Sequence, residues 1–355
     1  MSTLSAAAQP AAPAVRGMAL GRPFVSPLFD LLVIGGGLSL IVGATAWASG
    51  FRLSQAHVPA ILLFGNFAHF AASTVRLYAT PDAVHRWPFL TLGFPVTCLV
   101  AFTAILTFVP WLVPYVFAVF LVWSPYHYAA QTYGLASMYA YRSDCRLDDD
   151  DKRLLRAACL LPFVWALLRP QGGIGVVLRH LGVAGPPVLE TLRFGAGAAV
   201  STLALAAPLA VVALLWRRGR SLPLISLGLV VVNAIWWTAF NYINAFFWAA
   251  LFHGVQYLAI ASIFHVRERM RRPGNRHAPL VHAGTFYGAS VALAYVLFVA
   301  WPDAYVALGY DVRLTPQLVV AVINIHHFVV DAYVWRLRRD PNYRTVVDGA
   351  VPAGA

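Results

Sequence analysis

The chain has 355 residues, of which 60% are hydrophobic and only 11% charged. Soluble domains carry about 25% charged residues, so the composition excludes a water-soluble globule and leaves an all-α, polytopic transmembrane bundle. The net charge of +12 sits in short stretches between apolar runs. That is a topogenic pattern and not a nucleic-acid footprint, so no nucleic-acid partner is expected.

Residues 1–24, rich in Ala and Pro, read as a disordered tail. Residues 25–339 read as one transmembrane domain and 340–355 as a cytoplasmic tail. Apolar runs near the ~20 residues that a spanning helix needs give about ten spans. They cover 27–49, 57–78, 88–109, 111–140, 154–168, 195–216, 222–244, 246–266, 281–301 and 316–337. The first contains Ala46-Trp47-Ala48, which resembles a signal-peptidase site, but it is long enough to span and reads as a retained helix. Its Gly35-Gly36-Gly37 lacks the Lys-Ser/Thr of a phosphate loop and points to close helix packing.

In the fourth span, Trp123-Ser124-Pro125 is expected to break the helix. The run Asp148-Asp149-Asp150-Asp151 lacks EF-hand spacing and reads as a solvated acidic stretch. The fifth span, short and containing Pro162, is the weakest. Arg76 and Arg336 stand at span ends and are expected to snorkel to the interface. The three cysteines form no CxxC pair, which argues against a thiolate metal site.

With ten spans and a cytoplasmic N-terminus, 21 of the 26 basic residues fall on the cytoplasmic side. The positive-inside rule then places both termini there. A chain rich in Ala and Arg with a single Lys suggests a GC-rich bacterial genome, hence a bacterial inner membrane.

Five of the eleven histidines lie deep in spans: His69, His127, His253, His326 and His327. Their four helices are the second, fourth, eighth and tenth, which all run in one direction. Three share a local pattern: His69-Phe70 leading to Ser73, His127-Tyr128 to Gln131, and His327-Phe328 to Asp331. Each gives an aromatic at i+1 and a polar group at i+4, on the same helix face as the histidine. The eighth span offers Gln256 at i+3 from His253, and Asn66 adds a further amide beside His69. One buried histidine is ordinarily a core residue, but five on four converging helices mark a functional site.

The reading that follows makes the five histidines metal ligands. Asn66, Ser73, Gln131, Gln256 and Asp331 support them, and Asp331 and Gln131 are the candidate catalytic groups. Asp331 is expected to orient His327 from one turn away. Neutral imidazoles suit iron, copper and zinc. Four of them around one metal leave positions open for dioxygen, which favours non-haem iron. The function expected is an iron-dependent oxygenase or desaturase, with membrane lipids around it, a hydrophobic substrate (acyl chain, isoprenoid or carotenoid) and a redox partner. A haem-b electron carrier with bis-His ligation and a proton-coupled transporter using intramembrane His and Asp are the alternatives. The HExxH motif of zinc hydrolases and the HxxxH and HxxHH boxes of desaturases are absent. In architecture the chain is similar to bacterial carotene dioxygenases of the Brp/Blh kind, polytopic proteins whose scattered intramembrane histidines hold iron. That likeness implies the same kind of centre here.

Overall fold

In hydrocarbon every backbone N–H and C=O needs an internal partner, so long apolar runs fold as helices. The computed structural model describes residues 19–50, 54, 56–168, 173–180, 187–239, 245–335 and 346. Every regular element among them is helical. Ten principal helices follow in order: α1 (Pro27–Ile34 with Gly37–Ser49), α2 (Val58–Ala79), α3 (Phe89–Phe108), α4 (Pro110–Arg142) and α5 (Asp149–Leu168). After them come α6 (Pro187–Arg217), α7 (Leu224–Thr238), α8 (Ala245–Met270), α9 (Pro279–Ala307) and α10 (Leu314–Val334).

Seven helices, α2, α3, α4, α6, α8, α9 and α10, are long and apolar enough to cross a membrane, and α1 makes an eighth if its halves form one span. Two of the ten expected spans fall short of that standard. α5 opens with a charged turn, Asp149, Asp150, Asp151, Lys152 and Arg153. α7 has 15 residues, about 22 Å at 1.5 Å per residue, against a hydrocarbon core of ~30 Å. Residues 240–244, assigned to the same span, lie outside the described residues, as do 336–339 of the transmembrane domain and 1–18, 340–345 and 347–355 of the two expected tails.

α1 bends by 59° at its glycine triplet. Gly36 stands at φ +81°, and a Cβ there would sit 2.6 Å from Val232 Cγ1. The triplet therefore serves a break as well as a close contact. Gln256 on α8 holds that break, donating to the Ile34 carbonyl at 2.8 Å. α4, by contrast, runs unbroken through Pro125, with Ser124 Oγ donating to Phe120 O at 2.8 Å. The expected break in this span does not occur, because a single missing N–H leaves the turns on either side intact.

One end of the bundle is tied by polar contacts. Residues 19–26, the end of the expected tail, pack there. Leu224 N donates to Ala19 O at 3.0 Å, and Phe24 is buried. Arg142 donates to the carbonyls of Arg22, Pro23 and Val346, and Arg267 to that of Phe24. Buried Asp30 accepts from the N–H groups of Phe24 and Val25 and from the Tyr139 hydroxyl at 2.6 Å. The same end joins α5 to α6. Arg218 bonds Asp151 at 2.7 Å, and Arg220 pairs with Asp148 at 2.8 Å and with Asp151. Asp148, Asp149 and Asp150 are exposed, as expected of a solvated acidic stretch, whereas Asp151 is wholly buried and anchors the end of α6. Arg76 is buried as well, its guanidinium 4.4 Å from the Trp335 ring and 5.2 Å from that of Phe264. It packs inside and does not snorkel, whereas Arg336 lies outside the described residues.

α8 and α10 are the most buried of the long helices, with α3, α6 and α9 on the periphery. α2 packs against α8 and α10, and α4 against the same two. These four helices form a ring.

Candidate metal centre

Each helix of the ring contributes one imidazole. His69, His253 and His327 are buried, and the His127 side chain is 14% exposed. The ring centroids form a closed square: His69–His253 5.1 Å, His253–His127 5.1 Å, His127–His327 5.1 Å and His327–His69 5.0 Å. Neighbouring planes cross at 74–86°, so each ring turns an edge toward the next.

Two glycines permit this spacing. A Cβ on Gly65 of α2 would lie 2.5 Å from Leu251 Cδ1. A Cβ on Gly254 of α8 would lie 2.6 Å from Gly65 O and 2.8 Å from His69 Nδ1. The α2 and α8 backbones touch beside His69 and His253 because neither position carries a side chain. In α2 the turn before His69, Leu62–Phe67, is a π-helix, a departure from α geometry that recurs at functional sites.

Hydrogen bonding fixes which nitrogen of His327 faces the square. Ser73 Oγ lies 2.9 Å from the Phe70 carbonyl, which can only accept, so the hydroxyl proton goes there. Ser73 therefore accepts from His327 Nδ1–H at 3.0 Å. That leaves His327 Nε2 with a bare lone pair, 3.3 Å from His127 Nε2 and 3.4 Å from Asp331 Oδ2. Asp331 Oδ2 also lies 3.8 Å from His127 Nε2. The other Asp331 oxygen, Oδ1, accepts from the Tyr257 hydroxyl at 2.7 Å, and Trp335 Nε1–H donates to that hydroxyl at 3.1 Å. Asp331 thus faces the same nitrogen edge as the histidines, while Ser73 takes the orienting place behind His327.

A carboxylate oxygen beside an imidazole lone pair is two acceptors face to face, an arrangement that a shared proton or a bound cation reconciles. His69 Nε2 and His253 Nε2 are buried with no hydrogen-bond partner among the described residues, at a cost of about 1–3 kcal/mol per orphaned group. With metal–donor bonds of ~2.1 Å, neighbouring donors stand about 3.0 Å apart in an octahedron and about 3.4 Å in a tetrahedron. The His127–His327 and His327–Asp331 separations match. Donor atoms of His69, His253 and His327 lie within 4.8 Å of one another, as do those of His127, His327 and Asp331. The two triads share His327, and each could hold a metal ion.

The square brings together four of the five histidines expected as ligands. His326 is not among them. Consecutive helical residues point about 100° apart, and His326 instead stacks on Phe94 at 5.3 Å and 12°. Gln131 Nε2 reaches the His253 carbonyl at 3.3 Å, and Gln256 serves α1. Asn66 is buried, its Oδ1 without a hydrogen-bond partner among the described residues. Two positions that sequence reasoning passed over belong to the site: Gly254, and Tyr257 at i+4 from His253, where the pattern of the other three helices already pointed.

His127 and Asp331 also wall a cavity of about 390 Å³ between α4, α8 and α10. No family model, curated protein or solved structure matches the chain. The reading of the site therefore rests on its geometry.

Proposed function

We propose that the chain is a membrane metalloenzyme, a non-haem iron oxygenase or desaturase acting on a lipid-soluble substrate in a bacterial inner membrane. The observation that carries this reading is the square of four imidazoles on four helices, two of which, His127 and His327, turn Nε2 toward the Asp331 carboxylate. His69, His127, His253, His327 and Asp331 would hold the ion, and a set of imidazoles with one carboxylate suits iron, which would supply dioxygen activation with electrons from a redox partner. The chain's own residues do the positioning: Ser73 holds the His327 tautomer, Tyr257 and Trp335 hold Asp331, and Gln131 stands where the cavity meets the centre. The crossed rings leave no flat slot between them, which favours a bare ion over haem.

Ten spans with both termini on one side fit the contacts. The i+4 groups of α8 and α10, Tyr257 and Asp331, meet each other, as they do when these helices run the same way. Asp151 at the start of α5 bonds Arg218 at the end of α6, so α5 must carry the chain away from that face for α6 to return. α7 must then cross again before α8. The tied end holds Arg22, Arg142, Arg218 and Arg267, a basic cluster that supports reading it as the cytoplasmic face.

Elemental analysis with an absorption spectrum tests the proposal. Stoichiometric iron without a Soret band is the expected result. A Soret band, or protein free of metal after expression in iron-replete medium, would overturn it.

A further inference from the structure

The cavity beside the centre has a shape and an opening of its own. Its lining follows α4 from Trp123 to Met138, about 22 Å at 1.5 Å per residue, so it is a groove lying along the helices. Its walls are mainly apolar, with Leu135, Met138, Ile260 and Phe328, and its polar atoms gather at His127, Gln131 and Asp331. Trp123, Tyr126 and Ala130 of α4 and Ala332 of α10 line it and are exposed on the outer surface. Trp123, Tyr126, Ala130 and Gly134 recur at the spacing of one helix face. The groove therefore opens sideways between α4 and α10. Both helices are long and apolar enough to span a membrane, and the mouth opens between them along α4. Gly134 lies in this opening, where an added Cβ meets nothing within 4 Å.

We infer that the groove is a lateral portal for a single hydrocarbon chain, which lies lengthwise along α4 with an in-chain carbon against His127 and Asp331. A chain in the leaflet already runs roughly along the spanning helices and enters sideways without turning. Small residues at Ala130, Gly134 and Ala332 set the mouth, and the aromatic rings of Trp123 and Tyr126 form its rim. The inference rests on the proposed centre for what happens to the chain, but not for its binding.

The test uses full-length protein in nanodiscs and a straight-chain fatty acid with a diazirine at mid-chain, with cross-links mapped by mass spectrometry. Iron is measured on the same samples. Labelling is expected at Tyr126, Phe328 and Ala332, and Gly134→Leu and Ala332→Leu each lower it about tenfold by filling space while iron stays at the wild-type level. A phosphatidylcholine carrying the same chain serves as a second arm. Labelling by both probes assigns recognition to the chain, and labelling by the phospholipid alone assigns the intact lipid as its source. Equal labelling of both plugged variants and wild type would overturn the portal, as would a diazirine sterol that displaces the fatty acid from these residues. Plug-sensitive labelling of an iron-free wild type would keep the portal and reject the metal centre.

Discussion

Replacing Gly254 by Ala asks whether the histidine square depends on two helix backbones touching. The new methyl would stand 2.6 Å from Gly65 O and 2.8 Å from His69 Nδ1. Restoring ordinary contact at about 3.5 Å needs a movement of several tenths of an ångström, and the backbone oxygen of Gly65 cannot swing aside as a flexible side chain can. Overpacking of this kind costs about 1–3 kcal/mol. The better helix propensity of Ala returns roughly 1 kcal/mol, so the net loss in stability is modest. The metal is less tolerant, since ligand distances hold to about ±0.2 Å, and disturbing a ligand's supports typically lowers metal affinity 10- to 100-fold. The expected result is that Gly254→Ala loses iron in a chelator titration at 10- to 100-fold lower chelator, with the melting temperature of the metal-free protein close to wild type. Gly134→Ala is the control, because the same substitution there meets open space and iron retention is expected to be unchanged. Wild-type iron retention by Gly254→Ala would refute the reasoning, showing that close approach of α2 and α8 is not what places His69.

Ser73→Ala removes the acceptor that holds His327 in its Nδ1–H tautomer, and a 10- to 100-fold loss of metal affinity is expected in the same titration. His327→Ala is expected to abolish metal retention while His326→Ala preserves it, since His326 packs on Phe94 outside the square; elemental analysis of the two variants decides. Cys145 lies between α4 and α5, and burial pushes its thiol above its ordinary value, with Arg220 pulling it partly back. Less thiolate is then present at neutral pH, so maleimide labelling is expected to be slow at pH 7 and to quicken as pH rises. The label is expected in inside-out vesicles but not in intact cells treated with an impermeant reagent, and the reverse pattern would invert the topology.

The composition class, the ten helical segments and the four histidines that come together were legible in the sequence because each rests on local information. Apolar run length is read directly from the chain, and a histidine inside such a run is conspicuous against hydrocarbon. Local information also ends where the errors begin. The motif of aromatic at i+1 and polar group at i+4 fits His327 and not His326, so helix phase separates the histidine that joins the square from its neighbour. Carried to α8, the same spacing selects Tyr257 in place of Gln256. The close approach of Gly65 and Gly254 has no such signal, since it belongs to a pair of helices and neither glycine is informative alone. Pro125 misled in the opposite direction: it removes one N–H, but the turns around it stay paired and the helix continues.

What the spacing rule means becomes clear only across helices. Ser73 follows His69 by four residues yet bonds His327; Tyr257 follows His253 by four yet bonds Asp331; Gln131 follows His127 by four yet reaches the His253 carbonyl. None of these groups serves the histidine of its own helix. One turn of α-helix rises about 5.4 Å, so the i+4 positions form a second layer beside the imidazole layer, and helices running in one direction bring their second layers to one level. A helix of opposite direction would place its i+4 group on the far side of the histidines, out of reach of the others. The repeated spacing therefore carries information about helix direction: with α4, α8 and α10 parallel, His253 meets His127 while Tyr257 stands beside Asp331.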